Sequence, residues 1–359
     1  MDSLLVFNVG SSSIRYHRYA HESLELLHEG HHTFAADRSS REDFMRTFRE
    51  CIRDIGDVSA IRGIGHRVVH GGSRFISPVV VNADILAELK NLSHLAPLHN
   101  PWNTLGIEAC EIYLQGIPNV AVFDTGYFAH LPSLAARYPL PAEYSEYRRF
   151  GFHGISHATV ADLLSLRLKK PLKQLTFISC HLGSGSSIAL IEKGEPIDTS
   201  MGYTPLEGLV MMTRCGDIDP GIIFDLVQKK LREAPSLERA QEEVQKLVEA
   251  FYKSSGLKAL SGYATFLDIL EQKKIGMEQA IFTFDYFVRR VRKYIGAYAA
   301  LVPRLDAIAF TGAVGAGDSA TRHAITKNLG CAKGVPVHIF PHSEEITIAK
   351  EVMKIVAGK

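Results

Sequence analysis

Residues 4–19 read Leu4-Leu5-Val6-Phe7-Asn8-Val9-Gly10-Ser11-Ser12-Ser13-Ile14-Arg15-Tyr16-His17-Arg18-Tyr19. A short apolar run stops at a Gly/Ser turn and the chain resumes at Ile14, which reads as strand, tight turn, strand. About 170 residues later the unit recurs: Leu175-Thr176-Phe177-Ile178-Ser179-Cys180, then His181-Leu182-Gly183-Ser184-Gly185-Ser186-Ser187, then Ile188-Ala189-Leu190-Ile191. Two copies so far apart point to a duplicated domain. Glycine turns the backbone through positive φ and serine adds hydroxyl donors. Two such turns facing each other across a cleft would hold a chain of phosphates on backbone N–H groups. The plainer alternative is two ordinary hairpin turns, and each turn taken alone fits it.

The segments around the repeat alternate helix and strand, the pattern of an α/β protein. Ser236 is placed to cap a helix reaching Tyr252, with Leu237, Ala240, Val244, Leu247, Val248 and Phe251 on one face. Asp219-Pro220 is a helix start, with the acid at the cap and proline in the first turn. A second strong helix runs from Ile281 to Leu301, and Asp306–Phe310 follows as a buried strand. Thr311–Ser319 then reads as another Gly-rich turn before a helix. Its Gly312-Ala313-Val314-Gly315-Ala316-Gly317 has the order G-x-x-G-x-G, which disfavours a dinucleotide fold, and the chain has no G-x-x-x-x-G-K-[ST] phosphate loop.

A length of 359 residues suits two or three domains with cores that need no staples. Hydrophobic residues at 46% and charged residues at 22% exclude a disordered, collagenous or coiled-coil chain. The formal charge of +1 gives no bias toward nucleic acid or a membrane surface. Five scattered cysteines with no C-x-x-C favour a reducing compartment over a disulfide framework or zinc site. MDSLLVFNVG lacks the basic region of a signal peptide, and no run reaches the roughly 18 apolar residues of a membrane span. The expectation is a soluble cytoplasmic protein.

Polar residues gather in turn-like apolar surroundings at Gly65–Gly72, Leu95–Pro101, Val122–Gly126, Phe150–His157 and Thr213–Pro220. Each His or Arg there could simply satisfy a buried carbonyl. Metal binding by the histidines is disfavoured, because His153 and His157 are interrupted by Gly154. A Ser-His-Asp hydrolase is disfavoured because there is no G-x-S-x-G elbow. Two arginines, a histidine and carboxylates combined with paired phosphate turns favour phosphoryl transfer.

Together these segments resemble the acetate kinase (acetokinase) family of the sugar-kinase/Hsp70/actin superfamily. The resemblance runs from Phe7–Ser13 to Ser343–Ile346, and is most specific at Gly65–Gly72, Leu95–Pro101, Arg149–His157 and Asp198-Thr199-Ser200-Met201-Gly202-Tyr203-Thr204-Pro205-Leu206-Glu207-Gly208. It implies an α/β architecture of duplicated ribonuclease-H-like (actin-like ATPase) domains flanking an active-site cleft. The first would be 1–125, with the C-terminal helix 346–359 packed back on it, and the second, 126–345, would hold the nucleotide. It implies reversible transfer of the ATP γ-phosphoryl to acetate, giving acetyl phosphate and ADP with Mg²⁺ (or Mn²⁺), in a homodimer. Carried over by position, Asn8 and Glu344 would place the metal. Arg67 and Arg214 would grip the acetate carboxylate and the phosphoryl in flight, and His153 would donate a hydrogen bond to it. Asp124 holds the active-site carboxylate position. Val69, Leu98, Phe152 and Pro205 would form the pocket for the acetate methyl. Ser11, Ser12, Ser13, Arg15, His181, Gly183, Ser184, Gly185 and Ala313, Val314, Gly315, Ala316, Gly317 would line the nucleotide.

The acetate half keeps the family pattern and the nucleotide half departs from it. Arg15 stands for the family's lysine and Ser184 for the asparagine of H-L-G-N-G. Ala264-Thr265-Phe266-Leu267-Asp268 stands for Asp-(Phe/Met)-Arg, and Ala313–Gly317 for G-I-G-E-N. The chain is also shorter than is usual, chiefly between Arg15 and His66. Three readings remain at this point: an ATP-dependent acetate kinase, an acyl kinase with another acid (propionate) or another donor (pyrophosphate or another nucleotide), and a non-catalytic relative that binds acetyl phosphate or a protein partner.

Overall fold

A computed structural model describes residues 1–34, 41–341 and 344–357. Ser343 and the last two residues of the expected helix 346–359 lie outside the described residues. By backbone contacts the chain divides into two compact units. The first comprises Met1–His130, Phe150–Thr159 and Ser343–Lys359; the second comprises Leu131–Arg149 and Val160–His342.

The first unit holds strands β1 (Ser3–Val9), β2 (Ser13–Ala20), β3 (Leu26–Thr33), β4 (Ile61–Val68), β5 (Val79–Val80) and β6 (Asn119–Phe123). Their order in the sheet is β3-β2-β1-β4-β6-β5. β1 and β2 pair antiparallel through the Gly10–Ser13 turn, whereas β1, β4 and β6 run parallel. β1 is buried on both faces, as its unbroken apolar run requires. Leu5, Phe7 and Val9 pack with Phe44 and Phe48 of helix Arg41–Ile55 and Ala109 and Cys110 of helix Asn100–Tyr113. Leu4 and Val6 point to the other face, onto Ile348, Ala349 and Val352 of helix Glu345–Ala357.

The second unit holds β7 (Thr176–Leu182), β8 (Ser186–Glu192), β9 (Glu195–Thr199), β10 (Ala307–Thr311) and β11 (Val337–Ile339), ordered β11-β10-β7-β8-β9. β7 and β8 are antiparallel; β7, β10 and β11 are parallel. Three antiparallel strands followed by parallel ones repeat the first unit's arrangement, apart from its added β5. The core joins Ile178, Cys180, Leu182, Ile308 and Phe310 to Phe284, Phe287, Val291 and Ile295 of helix Glu278–Ala299.

One local expectation needs correction and a second is refined. The Gly-rich turn at Thr311–Ser319 contains a short helix, Gly312–Gly317, before helix Ser319–Thr326, because Asp318 accepts from Thr321 N at 2.7 Å and so begins a fresh helix. Ser236 does cap helix Leu237–Lys253, but Ala240 is the buried residue of that helix and Leu237 is 72% exposed. Its apolar stripe packs on helix Pro220–Glu233, which buries no residue of its own and covers little of it.

Candidate active site

In the first unit the parallel strands β1, β4 and β6 bring Asn8, Arg67 and Asp124 to one edge of the sheet, at their carboxyl ends. That edge is where open α/β sheets bind ligands. Arg67 donates to Asp124 Oδ2 from Nε at 3.0 Å and from Nη2 at 2.6 Å. Its Nη1 lies 3.5 Å from Asn8 Oδ1, and its Nε 3.6 Å from Glu344 Oε2. The carboxylate that accepts from Asn8 Nδ2, at 2.9 Å, belongs to Glu345. One guanidinium thus gathers an amide oxygen and two carboxylates. Burial opposes the Arg67 charge, but Asp124, Glu344 and Glu345 more than offset it and raise its pKa. Burial also pushes the Glu344 carboxyl up, against the pull of Arg67 and Arg15. Arg15 pairs with Asn8 across the β1–β2 ladder, which explains why its charge is felt there.

The strand ends are fixed by side chains of helix Asn100–Tyr113. Asn103 accepts from Val69 N at 3.0 Å and donates to Val9 O at 2.8 Å, tying the ends of β1 and β4 together. Asn100 accepts from His70 N and donates to His70 O, at 3.0 and 2.9 Å. Thr125 Oγ1 accepts from Gly71 N at 3.2 Å. Val69 and Phe152 are buried, and Leu98 is half-buried. Behind Arg67, His66 is 1% exposed and meets Asn119 Oδ1 at 2.8 Å; burial pushes its pKa down to about 4.

His153 has φ 56°, a left-handed conformation that costs strain in a residue other than glycine. The next amide, Gly154 N, donates to Asp124 O at 2.9 Å. A Cβ at Gly154 would stand 2.1 Å from that oxygen, so glycine is required there. The pair sets the start of helix Gly154–Leu168 directly on the Asp124 backbone. Ser11 and Ser12 are exposed on the first turn, where Gly10 N donates to Ser13 O at 2.8 Å.

In the second unit His181 and Thr311 are partners across the parallel β7–β10 pair, at the carboxyl end of that sheet. Gly183 N donates to Gly185 O at 3.0 Å, echoing the first turn, and Ser184 O accepts from Met212 N at 3.1 Å. Ala313 N lies 3.9 Å from where a Gly183 Cβ would be, so this turn and Ala313–Gly317 adjoin. Arg322 Nη1 donates to Gly315 O and Ala316 O at 2.9 and 2.8 Å. Arg214 Nη1 donates to Pro205 O at 2.9 Å. Where the family has Asp-(Phe/Met)-Arg, Thr265 and Asp268 form a reciprocal capping box for helix Phe266–Lys274, and Phe266 is buried in the core. Those residues serve the fold.

Sequence reading gave no role to Glu345, Asn100, Asn103, Thr125 or Arg322. Asn100 and Asn103 had a signal: two amides three residues apart on a helix whose neighbours are apolar. Glu345 had none, since it adjoins Glu344 and only the helix start tells them apart.

A family model described as the acetokinase family matches residues 22–339. An acetate kinase of Carboxydothermus hydrogenoformans is 37% identical over 406 aligned residues, covering 99% of this chain and 100% of that protein. One of Halothermothrix orenii is 35% identical over 404, covering 98% and 99%. Both alignments are longer than this chain, so these relatives carry segments it lacks. A solved propionate kinase from Francisella tularensis subsp. tularensis SCHU S4 superposes with a TM-score of 0.87 at 30% identity, covering 99% of this chain and 100% of its own. Porphyromonas gingivalis acetate kinase superposes with a TM-score of 0.83 at 29% identity, with the same coverages.

Proposed function

The chain belongs to the acetokinase family, has its two-domain actin-like ATPase fold and is a phosphotransferase with a carboxyl group as acceptor; from that premise we propose that it transfers the γ-phosphoryl of ATP reversibly to acetate, giving acetyl phosphate and ADP. The observation that carries this reading is Arg67, a half-buried cation at a sheet's carboxyl edge, oriented by Asp124 and flanked by Asn8 and Glu344.

A carboxylate substrate, with a pKa near ~4.3 like that of Glu, is ionised at pH 7 and attacks without a general base. Asp124 Oδ2 takes two hydrogen bonds from Arg67, which suits orienting the guanidinium and not abstracting a proton. Arg67 and Arg214 grip the carboxylate and the moving phosphoryl, and His153 donates to it. Val69, Leu98, Phe152 and Pro205 enclose the methyl. Ser11–Ser13, Arg15, His181, Gly183–Gly185 and Ala313–Gly317 take the nucleotide. The proposed domains are 1–125, with the C-terminal helix 346–359 packed back on it, and 126–345, which carries most of the nucleotide residues.

Asn8, Asp124 and Glu344 present oxygen atoms around one guanidinium, a hard, partial donor set of the kind Mg²⁺ uses together with waters and substrate phosphates. These oxygens fit that ion, and Asn8 and Glu344 would hold it. When bound, Mg²⁺ (or Mn²⁺) would supply charge neutralisation at the phosphates.

The active form is a homodimer in the cytoplasm. Helix Pro220–Glu233 leaves Ile222, Phe224 and Leu231 exposed, apolar surface of the kind subunits cover. All five cysteines are free, which suits a reducing compartment.

The test is hydroxylamine trapping of acyl phosphate from acetate, Mg²⁺ and ATP, with Arg214→Ala as control. Propionate runs in parallel, because a propionate kinase is among the structural relatives and a methylene is worth only about 1–3 kcal/mol of discrimination. GTP and pyrophosphate run too, because Arg15, Ser184 and the capping box at Thr265 depart from the family's nucleotide half.

A further inference from the structure

The stretch Ser200–Asp217, which follows β9, carries Pro205 and Arg214 and contains no regular element. Such a loop needs fixed points if its side chains are to meet a transition state to within about an ångström. Arg149 supplies several of them from one side chain. Its Nη1 reaches Thr199 O, Ser200 O and Met201 O at 3.1, 3.5 and 3.3 Å. Its Nη2 pairs with Glu207 Oε1 at 2.8 Å, and its Nε donates to Ala135 O at 3.2 Å. The other Glu207 oxygen accepts from Tyr138 OH, whose oxygen accepts in turn from Tyr203 N at 2.9 Å. The guanidinium lies over the Tyr138 ring, 5.5 Å from its centroid. Farther along, Asp217 accepts from Gly208 N and Tyr294 OH, at 2.9 and 2.8 Å. Thr213 Oγ1 donates to Tyr252 O at 2.8 Å.

We propose that Arg149, with Glu207 and Tyr138, is a positioning residue that sets the loop bearing Pro205 and Arg214. The proposal rests on the roles given to those two residues above. Arg149 acts through the loop and does not touch substrate. The fork geometry explains the choice of residue: a lysine supplies the charge but cannot span a carboxylate and several carbonyls at once. Two consequences separate positioning from plain stability. Loss of the fork lowers kcat through Arg214, and it changes acid preference through Pro205.

The experiment compares wild type, Arg149→Lys, Glu207→Gln and Tyr138→Phe in acyl phosphate formation from acetate and propionate. Amide hydrogen exchange over 199–217 is measured on the same proteins. Arg149→Lys is expected to lower kcat roughly 10–100-fold, with KM for ATP unchanged, an altered acetate-to-propionate ratio of kcat/KM, and faster exchange over 199–217. In an Arg214→Ala background it should add little, because the group it positions is gone. An unchanged kcat, unchanged exchange, or a full additional loss on top of Arg214→Ala overturns the proposal. If Arg149→Lys does not fold, Glu207→Gln carries the same test, since it keeps the side chain's shape and loses its charge. An inactive wild type contradicts the function proposed above, and the exchange data alone then decide the positioning.

Discussion

In the function proposed above, Arg67 and Asp124 carry the acid end. The Asp124 side chain is 1% exposed and faces the guanidinium with both hydrogen bonds to Oδ2. Arg67→Ala removes a transition-state donor, expected to lower kcat by about 10²–10³. It also strands a buried carboxylate, a cost of about 3–5 kcal/mol; acyl phosphate assays and thermal melts check the two effects separately. Wild-type activity in Arg67→Ala would remove it from the reaction. His66 gives a second prediction. Its folded pKa, about 4, lies below its ordinary 6.5, so the unfolded chain binds the proton more readily. Its contribution is therefore complete above about pH 6.5 and is lost as pH falls toward about 4, roughly 3 kcal/mol in all. Denaturant melts across that window should steepen less in His66→Gln; identical pH profiles would contradict this. Arg67 and Asp124 stood out as polar residues in turn-like apolar surroundings, and Asn8 came only with the family resemblance. Asn103 was not legible, since its value lies in joining two strand ends that only the fold brings together.

Among the elements, helix Glu345–Ala357 ends the described chain and yet begins beside Arg67 and Asn8, with Glu344 just before it and Glu345 at its first position. It lies on β4 because that strand offers Gly65: a Cβ there would stand 2.5 Å from Ile348 Cγ2 and 2.8 Å from Val352 Cγ2. Gly65→Val is expected to push the helix away, lowering Tm and raising the Mg²⁺ concentration needed for half-maximal rate. A lower Tm with unchanged Mg²⁺ dependence would show that the helix start is held independently of its packing. The sequence announced the strand–turn–strand repeat because apolar run, glycine and serine are all local signals. It gave the cap and extent of helix Leu237–Lys253, but a 3.6-residue stripe shows that a face is apolar and says nothing of what covers it.

For the whole molecule, Phe224 at 67% exposure and Leu231 at 50% give the proposed dimer its test. Phe224→Asp with Leu231→Asp should halve the mass seen by light scattering; a monomeric wild type would refute the dimer. The same sheet order in both units made the duplication readable from two short segments. The nucleotide end was harder to read, because Ser184, Thr265–Asp268 and Ala313–Gly317 differ from the family pattern and their replacements partly serve the fold. Acyl phosphate trapping with ATP, acetate and Mg²⁺ therefore tests the central claim most directly. Hydroxamate that forms with ATP and vanishes in Arg214→Ala is the expected result. Folded protein that yields none with ATP, or yields it only with pyrophosphate or another nucleotide, would contradict it.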